Sequence, residues 1–497
     1  MFVILSFFVL ALFLTYYKVK YFTIHGCVPG LSPHIFFGNL IQSGLLFYDQ
    51  SPQKVFLSFR KRFGDTFQFW LGPTRVIAVN KIGDIQHIFT NRHIYDQGEI
   101  YIQLFSTLFS DGLICLRGAQ YKRHASVTLP LFRRSKIIPH FDVIVDCIDK
   151  LLTNWRVYPS EHVHCDIVKQ SENLMLAIFG WIAFDYDLDT FDHGNKNELT
   201  QALESYLSIL EMVTYSPRIF NLIYMKLSHR HREVKNTIER YLCRMIDNEL
   251  DQSEESRMQR KRTSLIASLV ASLQKDEYIE GKKSEQERTG LSRNEVLHEM
   301  LLFLVAGFET GATSLAWFIH LLSKYPQVQQ KIKVELMNNN VKRDLSIEKL
   351  DSLVYLDCVI KEVLRYSPPF TGTYRTLTND DCLPMSGTQL FKGDQIFIPI
   401  YNLAVDTELW SIDPNQFYPE RFLHQDRQHH PYAWIPFGSG HRQCIGQDLA
   451  RFELKVVAAR LIQYVTFGDG GPEKNADGHL ASVTIKPRNV GVTITFD

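Results

Sequence analysis

Between Phe437 and Gly446 the chain reads Phe-Gly-Ser-Gly-His-Arg-Gln-Cys-Ile-Gly, a glycine-rich loop that holds one cysteine. Leu449, Phe452, Val456 and Ala459 follow at three- and four-residue steps, the spacing of a helix that begins just past Cys444. Any fold this chain adopts must therefore set Cys444 where a loop enters a helix. Backbone N–H groups and the positive helix end favour a thiolate there. The glycines let a flat ligand lie close to the backbone, because they carry no Cβ. A phosphate loop is excluded, since no Gly-Lys-Ser/Thr ending is present, and glycine spacing without a preceding strand does not suit a dinucleotide fingerprint. A structural zinc site needs four ligands, and here only His441 lies near the cysteine.

With Phe437, Gly440, Arg442, Cys444 and Gly446 all in place, the loop resembles the haem-binding loop of the cytochrome P450 family. The resemblance implies a haem b cofactor whose iron takes Cys444 as its axial thiolate, pushing electron density towards O–O cleavage. It also implies that Arg442 pairs with a haem propionate and that Phe437 shields the sulfur.

A long helix is expected upstream. Ser292-Arg293-Asn294-Glu295 has the spacing of a capping box, and helix-compatible sequence runs to Tyr325, where Pro326 stops it. Met300 to Leu322 is apolar enough to read as a membrane span, but Glu309 in its middle argues against one. A structural carboxylate satisfied by its neighbours is the other reading of that residue. Ala306-Gly307-Phe308-Glu309-Thr310 resembles the oxygen-activating motif of the same family. The resemblance implies that Gly307 makes room for dioxygen, that Thr310 hydrogen-bonds the distal oxygen, and that Glu309 relays protons. Gly311 stands where the family often has threonine or serine.

Glu362 and Arg365 lie three residues apart on one helix face, the spacing of a common solvated pair. With Arg421 in Pro419-Glu420-Arg421-Phe422 they resemble the family's buried Glu-Arg-Arg triad, which implies a structural role in locking the cysteine loop. Arg375 matches a second propionate-binding arginine, or reads as an exposed strand arginine. Gly118 to His124 resembles the helix whose tryptophan, with an arginine four residues later, holds a propionate. Here those positions are Tyr121 and Ala125, leaving Tyr121 as a hydrogen-bond donor and Arg123 or His124 as substitutes. Phe105, Phe109, Phe303 and Phe370 suit an apolar substrate pocket or ordinary core packing.

The expected fold class is mainly α with small β-sheets, behind an N-terminal transmembrane helix. Ser51-Pro52 opens a helix that Gly64 ends. Phe67–Trp70 and Val76–Val79 form a hairpin, and helical patterns dominate from about Pro139. Further strands are expected at Gln395–Ile400 and Val483–Thr495, and Gln274–Arg293 reads as an exposed loop. Met1 to Tyr17 carries no charged side chain, and Lys18 and Lys20 follow. This predicts an anchor over 1–20, a proline-containing hinge over 21–40 and one catalytic domain over 41–497. The lysines argue that this domain stays cytoplasmic, and the resemblance, to microsomal members of the family, implies a single pass through the endoplasmic reticulum membrane. A cleaved signal peptide is the competing reading, and the absence of a clear small-residue cleavage site argues against it.

Lys+Arg and Asp+Glu both number 54, so no bulk charge calls for nucleic acid. Eight scattered cysteines without a CxxC pair suit a reducing compartment. The resulting expectation is a haem-thiolate monooxygenase that uses O2, an apolar small-molecule substrate and membrane lipid as surroundings. Its electrons come from a separate NADPH-dependent flavoprotein reductase, because the chain shows no flavin domain. Two alternatives are an isomerase or dehydratase of hydroperoxides, which tends to lack the central threonine, and a non-catalytic haem-binding protein. Thr310 weighs against the first, and Glu309 with Thr310 against the second.

Overall fold

The computed structural model describes residues 2–22, 28–34, 36–46, 50–191, 198–215, 218–253, 255–256, 264–341, 344–476 and 478–497. Residues 23–27 and 35 of the expected hinge lie outside them. Helix α1, Phe2–Phe22, is apolar, and its large side chains from Ile4 to Val19 are mostly solvent-exposed, Phe7 at 70%. Beyond it the chain divides into two compact units.

The first unit comprises Met1–Tyr101, Phe370–Leu409 and His429–Gln443. Helix α2, Pro52–Phe63, starts on a proline and ends at Gly64, whose φ of 90° is one that L side chains rarely adopt. Strands β1 (Thr66–Leu71) and β2 (Thr74–Val79) form the expected antiparallel hairpin. With β3 (Tyr95–Gln97), β4 (Thr373–Leu377) and β5 (Gln395–Ile398) they make one sheet in the order β1-β2-β5-β4-β3, β5 running parallel to β2. Both faces are covered, so successive residues serve different cores. Phe67, Phe69 and Val76 pack with Phe56 and Phe59 of α2, whereas Ile77 and Val79 join Ile396 and Ile398 on the other side. Strand β5 stops at Ile398, short of the expected Ile400, because Pro399 offers no N–H and leads into the short helix Ile400–Ala404.

The second unit comprises Ile102–Pro369, Trp410–Gln428 and Cys444–Asp497. Its main helices here are α3 (Gly118–Thr128), α4 (Phe141–Trp155), α5 (Ile167–Phe184), α6 (Arg293–Lys324), α7 (Val354–Tyr366) and α8 (Gln447–Tyr464). Helix α6 carries the predicted capping box, with Ser292 Oγ accepting from Glu295 N and the Glu295 carboxylate accepting from Ser292 N. It is the one described helix whose length and apolarity would let it cross a membrane, yet it is a core helix, while α1 offers the shorter stretch Ile4–Val19.

Two expectations need correction. The run Val483–Thr495 is two strands. Ile485–Pro487 pairs with His479–Ala481, and Val492–Phe496 with Val465–Asp469 and Val163–His164, since Pro487 cannot continue the ladder. The polar segment Gln274–Arg293 is structured rather than a loose loop. Asp276 caps a short helix at Glu277–Gly281, and the carboxylate of Glu285 and carbonyl of Gly290 both accept from Arg123.

Candidate active site

In the first unit, the glycine-rich loop bends through Gly438 and Gly440, with φ of 70° and 72°. A Cβ on Gly440 would also lie 2.8 Å from the Phe89 carbonyl oxygen, so this position needs glycine on two counts. Phe437 is half-buried. Arg442 is nearly fully buried, and its Nε and Nη2 donate to Asp96 Oδ1 at 3.0 and 2.5 Å. Burial alone would raise the pKa of Asp96, but His441 and Arg442 outweigh it and hold the carboxyl well below the usual carboxylate range. Arg375 is a buried strand residue rather than an exposed one. Its Nη1 donates to Thr373 Oγ1 and the Tyr374 carbonyl, and its Nη2 to the Ser439 carbonyl at 3.1 Å. Two buried guanidiniums thus bracket the loop.

In the second unit, Cys444 precedes α8 and is exposed as a residue, while its thiol is packed about by protein atoms. Lost hydration pushes the thiol pKa up, and the N–H of Gly446 pulls it down but does not win. The surroundings thus shift the thiol against the expected thiolate preference. Further along α8, Glu453 is buried with Oε1 lacking a hydrogen-bond partner, and burial lifts its carboxyl to about 8.

Helix α6 provides the other element. Every residue from Val296 to Ser323 is buried except Ala306, Gly307 and Thr310, which share one face. Space thus reaches the middle of a core helix at these three residues only. Thr310 Oγ1 donates to the Ala306 carbonyl at 3.0 Å, which leaves the hydroxyl on that face. Gly307 has a packing reason beyond the expected room for dioxygen. A Cβ there would lie 2.1 Å from the Phe179 ring of α5, and one on Gly311 would lie 2.6 Å from Met175 Cε. The glycines let α5 and α6 cross closely.

Glu309 is buried, and Lys486 Nζ and Thr484 Oγ1 lie 2.9 and 3.2 Å from its Oε1. Both bond the same oxygen of its carboxylate. Arg123 is held by Glu285 and Glu295, and His124 by Glu299 at 2.7 Å and Glu295 at 3.3 Å. Neither is available as a substitute propionate ligand, and Tyr121 is half-buried on the same helix. Burial alone would lower the His124 pKa, but the two glutamates outweigh it and raise it.

The structure brings Glu362, Arg365 and Arg421 together, each fully buried, in place of a solvated pair. Arg365 grips Glu362 with Nε and Nη2 at 2.7 and 2.9 Å, and Arg421 Nε adds a third bond at 3.1 Å. The spare donors go to the carbonyls of Ile412, Asp413, Pro414 and Gln416, and Arg421 Nη1 also bonds Asp426 Oδ2 at 3.1 Å, so two carboxylates balance the two guanidiniums. Among the phenylalanines, Phe109 is fully buried and stacks on Phe105, and Phe303 packs edge-on to Phe132. Phe370 is half-buried. Sequence reasoning missed Asp96, Thr484 and Lys486, none of which lies in a local motif.

Within the first unit, buried arginines lie along a glycine loop, and their chemistry suits haem propionates; within the second, a cysteine at a helix entry and a small-residue window in a core helix suit a haem iron and its oxygen ligand. The family model of cytochrome P450 matches residues 28–494. The chain belongs to that family, and it is a haem-thiolate monooxygenase. Cytochrome P450 monooxygenase 205 of Postia placenta is 26% identical over 444 residues, 82% of this chain and 80% of that protein. Cytochrome P450 734A1 of Arabidopsis thaliana is 26% identical, covering 88% and 80%. Cytochrome P450 3A17 of Cavia porcellus is 23% identical, covering 88% and 85%.

Proposed function

We propose that this monooxygenase inserts one oxygen atom from O2 into an apolar organic substrate, of the lipid, steroid or xenobiotic class, on the cytoplasmic face of the endoplasmic reticulum membrane. Residues 1–20 anchor it, 21–40 act as hinge, and 41–497 form the catalytic domain. Electrons come from a separate NADPH-dependent flavoprotein reductase. The observation that carries the reading is the accessible face Ala306–Gly307–Thr310 in an otherwise buried helix.

When bound, the haem supplies the activation of dioxygen. Cys444 would hold its iron, in a loop shaped by Gly440 and Gly446 and shielded by Phe437. Arg442 and Arg375, already buried and aligned by Asp96, Thr373 and Ser439, receive the propionates, with Tyr121 as a further donor. Thr310 holds a proton at Oγ1 on the open face, and Glu309, next in the chain, replenishes it. The Glu362–Arg365–Arg421 triad keeps the segment Ile412–Arg421 in place. Purified protein, reductase and NADPH with a panel of apolar compounds test this. Substrate-dependent NADPH use with oxygenated product supports the reading, whereas hydroperoxide turnover without reductase, or no turnover at all, overturns it.

A further inference from the structure

Where α3 meets the first turns of α6, the second unit packs a cluster of ionisable side chains. Arg123 Nε lies 2.6 Å from Glu285 Oε1, and its Nη1 and Nη2 lie 2.9 and 2.5 Å from the two oxygens of Glu295. Arg288 Nη1 lies 3.1 Å from the second oxygen of Glu285. His124 is 1% exposed, with Nδ1 2.7 Å from Glu299 Oε1 and Nε2 3.3 Å from Glu295 Oε1. Glu299 is fully buried and also accepts from the N–H of Leu113, which opens the turn Leu113–Cys115. On that side Cys115 is buried, and Asp111 bonds His298 at 2.9 Å. Among the described residues of the cluster, Arg123, His124 and Arg288 thus face Glu285, Glu295 and Glu299.

We propose that this corner is a proton-operated clasp, in which His124 fastens α3 and the Leu113–Cys115 turn to α6 and lets them part when one proton leaves. A carboxylate only accepts, and a neutral imidazole has a single N–H. Two carboxylates facing both ring nitrogens therefore need one proton more than a neutral ring supplies. The count is the same whether that proton rests on Nδ1 or on Glu299 Oε1. With it, positive and negative charges in the cluster balance. Without it, one buried carboxylate has no counter-charge, and opening to water becomes the favoured way to hydrate it. The two groups respond to pH in the same sense. Burial alone would lower the His124 pKa, but Glu295 and Glu299 raise it. Burial outweighs His124 and the Leu113 N–H and raises that of Glu299. Both therefore bind more protons folded than unfolded, and the stability they contribute is lost as pH rises through their folded values. Burial alone would raise the pKa of Glu295, but Arg123, His124 and the Ser292 N–H pull it down, so this carboxylate stays ionised throughout.

Full-length, haem-loaded protein tests this through the cysteine on the clasped turn. Burial, with Glu299 and Asp111, pushes the Cys115 thiol up to about 12. Cys147 on α4 is buried too, its thiol also pushed up to about 12, and serves as the internal control. Alkylation of both is mapped by mass spectrometry, and the ratio of Cys115 to Cys147 labelling is followed with pH. Because each opening loses one proton, the ratio in the parent should climb about tenfold per pH unit once release begins, at a pH between about 7 and 10. Protein returned to neutral pH before labelling should show the resting ratio again. His124→Gln leaves Glu299 without its cation, so the climb should begin at lower pH. Glu299→Gln removes the need for the extra proton, since a neutral ring can donate to Glu295 and accept from the new amide, and the ratio should stay flat. The double variant should be flat as well. A flat ratio in the parent, a climb in Glu299→Gln matching the parent's, or Cys115 and Cys147 rising together overturns the proposal. A merely structural pair would weaken the protein in both single variants without moving the pH of the climb. If His124→Gln fails to fold, Glu299→Gln, which is nearly isosteric, still decides.

Discussion

At the scale of single residues, the chemistry rests on groups whose surroundings either supply or withhold a charge. Loss of hydration raises the pKa of the Cys444 thiol. Cys444→Ser should abolish the long-wavelength band of the reduced, CO-bound protein, and a surviving band would mean another ligand. Thr310 contributes little to packing, so Thr310→Ala should load haem and bind substrate nearly as before. Product formed per NADPH consumed should fall about tenfold and hydrogen peroxide should rise, because a positioned hydroxyl has been replaced by mobile water. Unchanged coupling would mean that protons arrive by another route. Glu453 gives a pH prediction with a definite sign. Its folded-state pKa of about 8 lies above the ordinary 4.5. The native state therefore binds the extra proton between those values, and the stability contributed is full below the lower one. It declines as pH rises towards the upper, by up to about 1.4 kcal/mol per pH unit. Glu453→Gln should flatten that decline, and equal slopes in denaturant titrations of parent and variant would refute it.

At the scale of elements, the crossing of α5 and α6 is the sharpest test. Gly307→Ala places a methyl 2.1 Å from the rigid Phe179 ring, which should destabilise the protein by roughly 1–3 kcal/mol. Gly311→Ala meets only Met175 Cε, the far end of a flexible side chain, and gains up to about 1 kcal/mol of helix propensity. Thermal unfolding should therefore separate the two variants, with Gly311→Ala near neutral. Equal shifts would show that the crossing tolerates a Cβ at both positions. The same elements show what a sequence can and cannot disclose. Helix α6, its capping box, the β1–β2 hairpin and the turn into α8 are written in patterns of a few residues, and all are seen. The partners of the functional side chains are not local. Asp96 reaches Arg442 across 346 positions, and Glu285 reaches Arg123 across 162. No periodicity marks such pairs, because a buried charge needs only some opposite charge, and the fold chooses which. The two roles for Gly307 illustrate the same point, since the ring it accommodates belongs to a helix that its own motif says nothing about.

At the scale of the whole molecule, α1 differs from the core helices in how much apolar surface it exposes. A core helix such as α6 buries its apolar side chains against protein, whereas Ile4, Phe7, Phe8 and Phe13 of α1 are exposed by 76, 70, 61 and 59%. Leaving those side chains in water costs about 25 cal/mol per Å² of apolar surface, which favours the proposed membrane anchor. At 1.5 Å per residue, a helix of 21 residues is about 31 Å long, close to the roughly 30 Å of a bilayer's hydrocarbon core. Its charge-free run ends at Lys18, where a headgroup region would begin. Deleting residues 1–20 removes this surface and touches none of the buried arginines, the cysteine loop or α6. The truncated protein should therefore load haem, give the same reduced CO spectrum, and leave membranes on washing with high salt or carbonate, while the full chain stays in the pellet. Retention of the truncated form through both washes would locate the anchor elsewhere, and Ile223 and Leu227, exposed by 51 and 71% on the helix Arg218–Leu227, would be the next surface to alter.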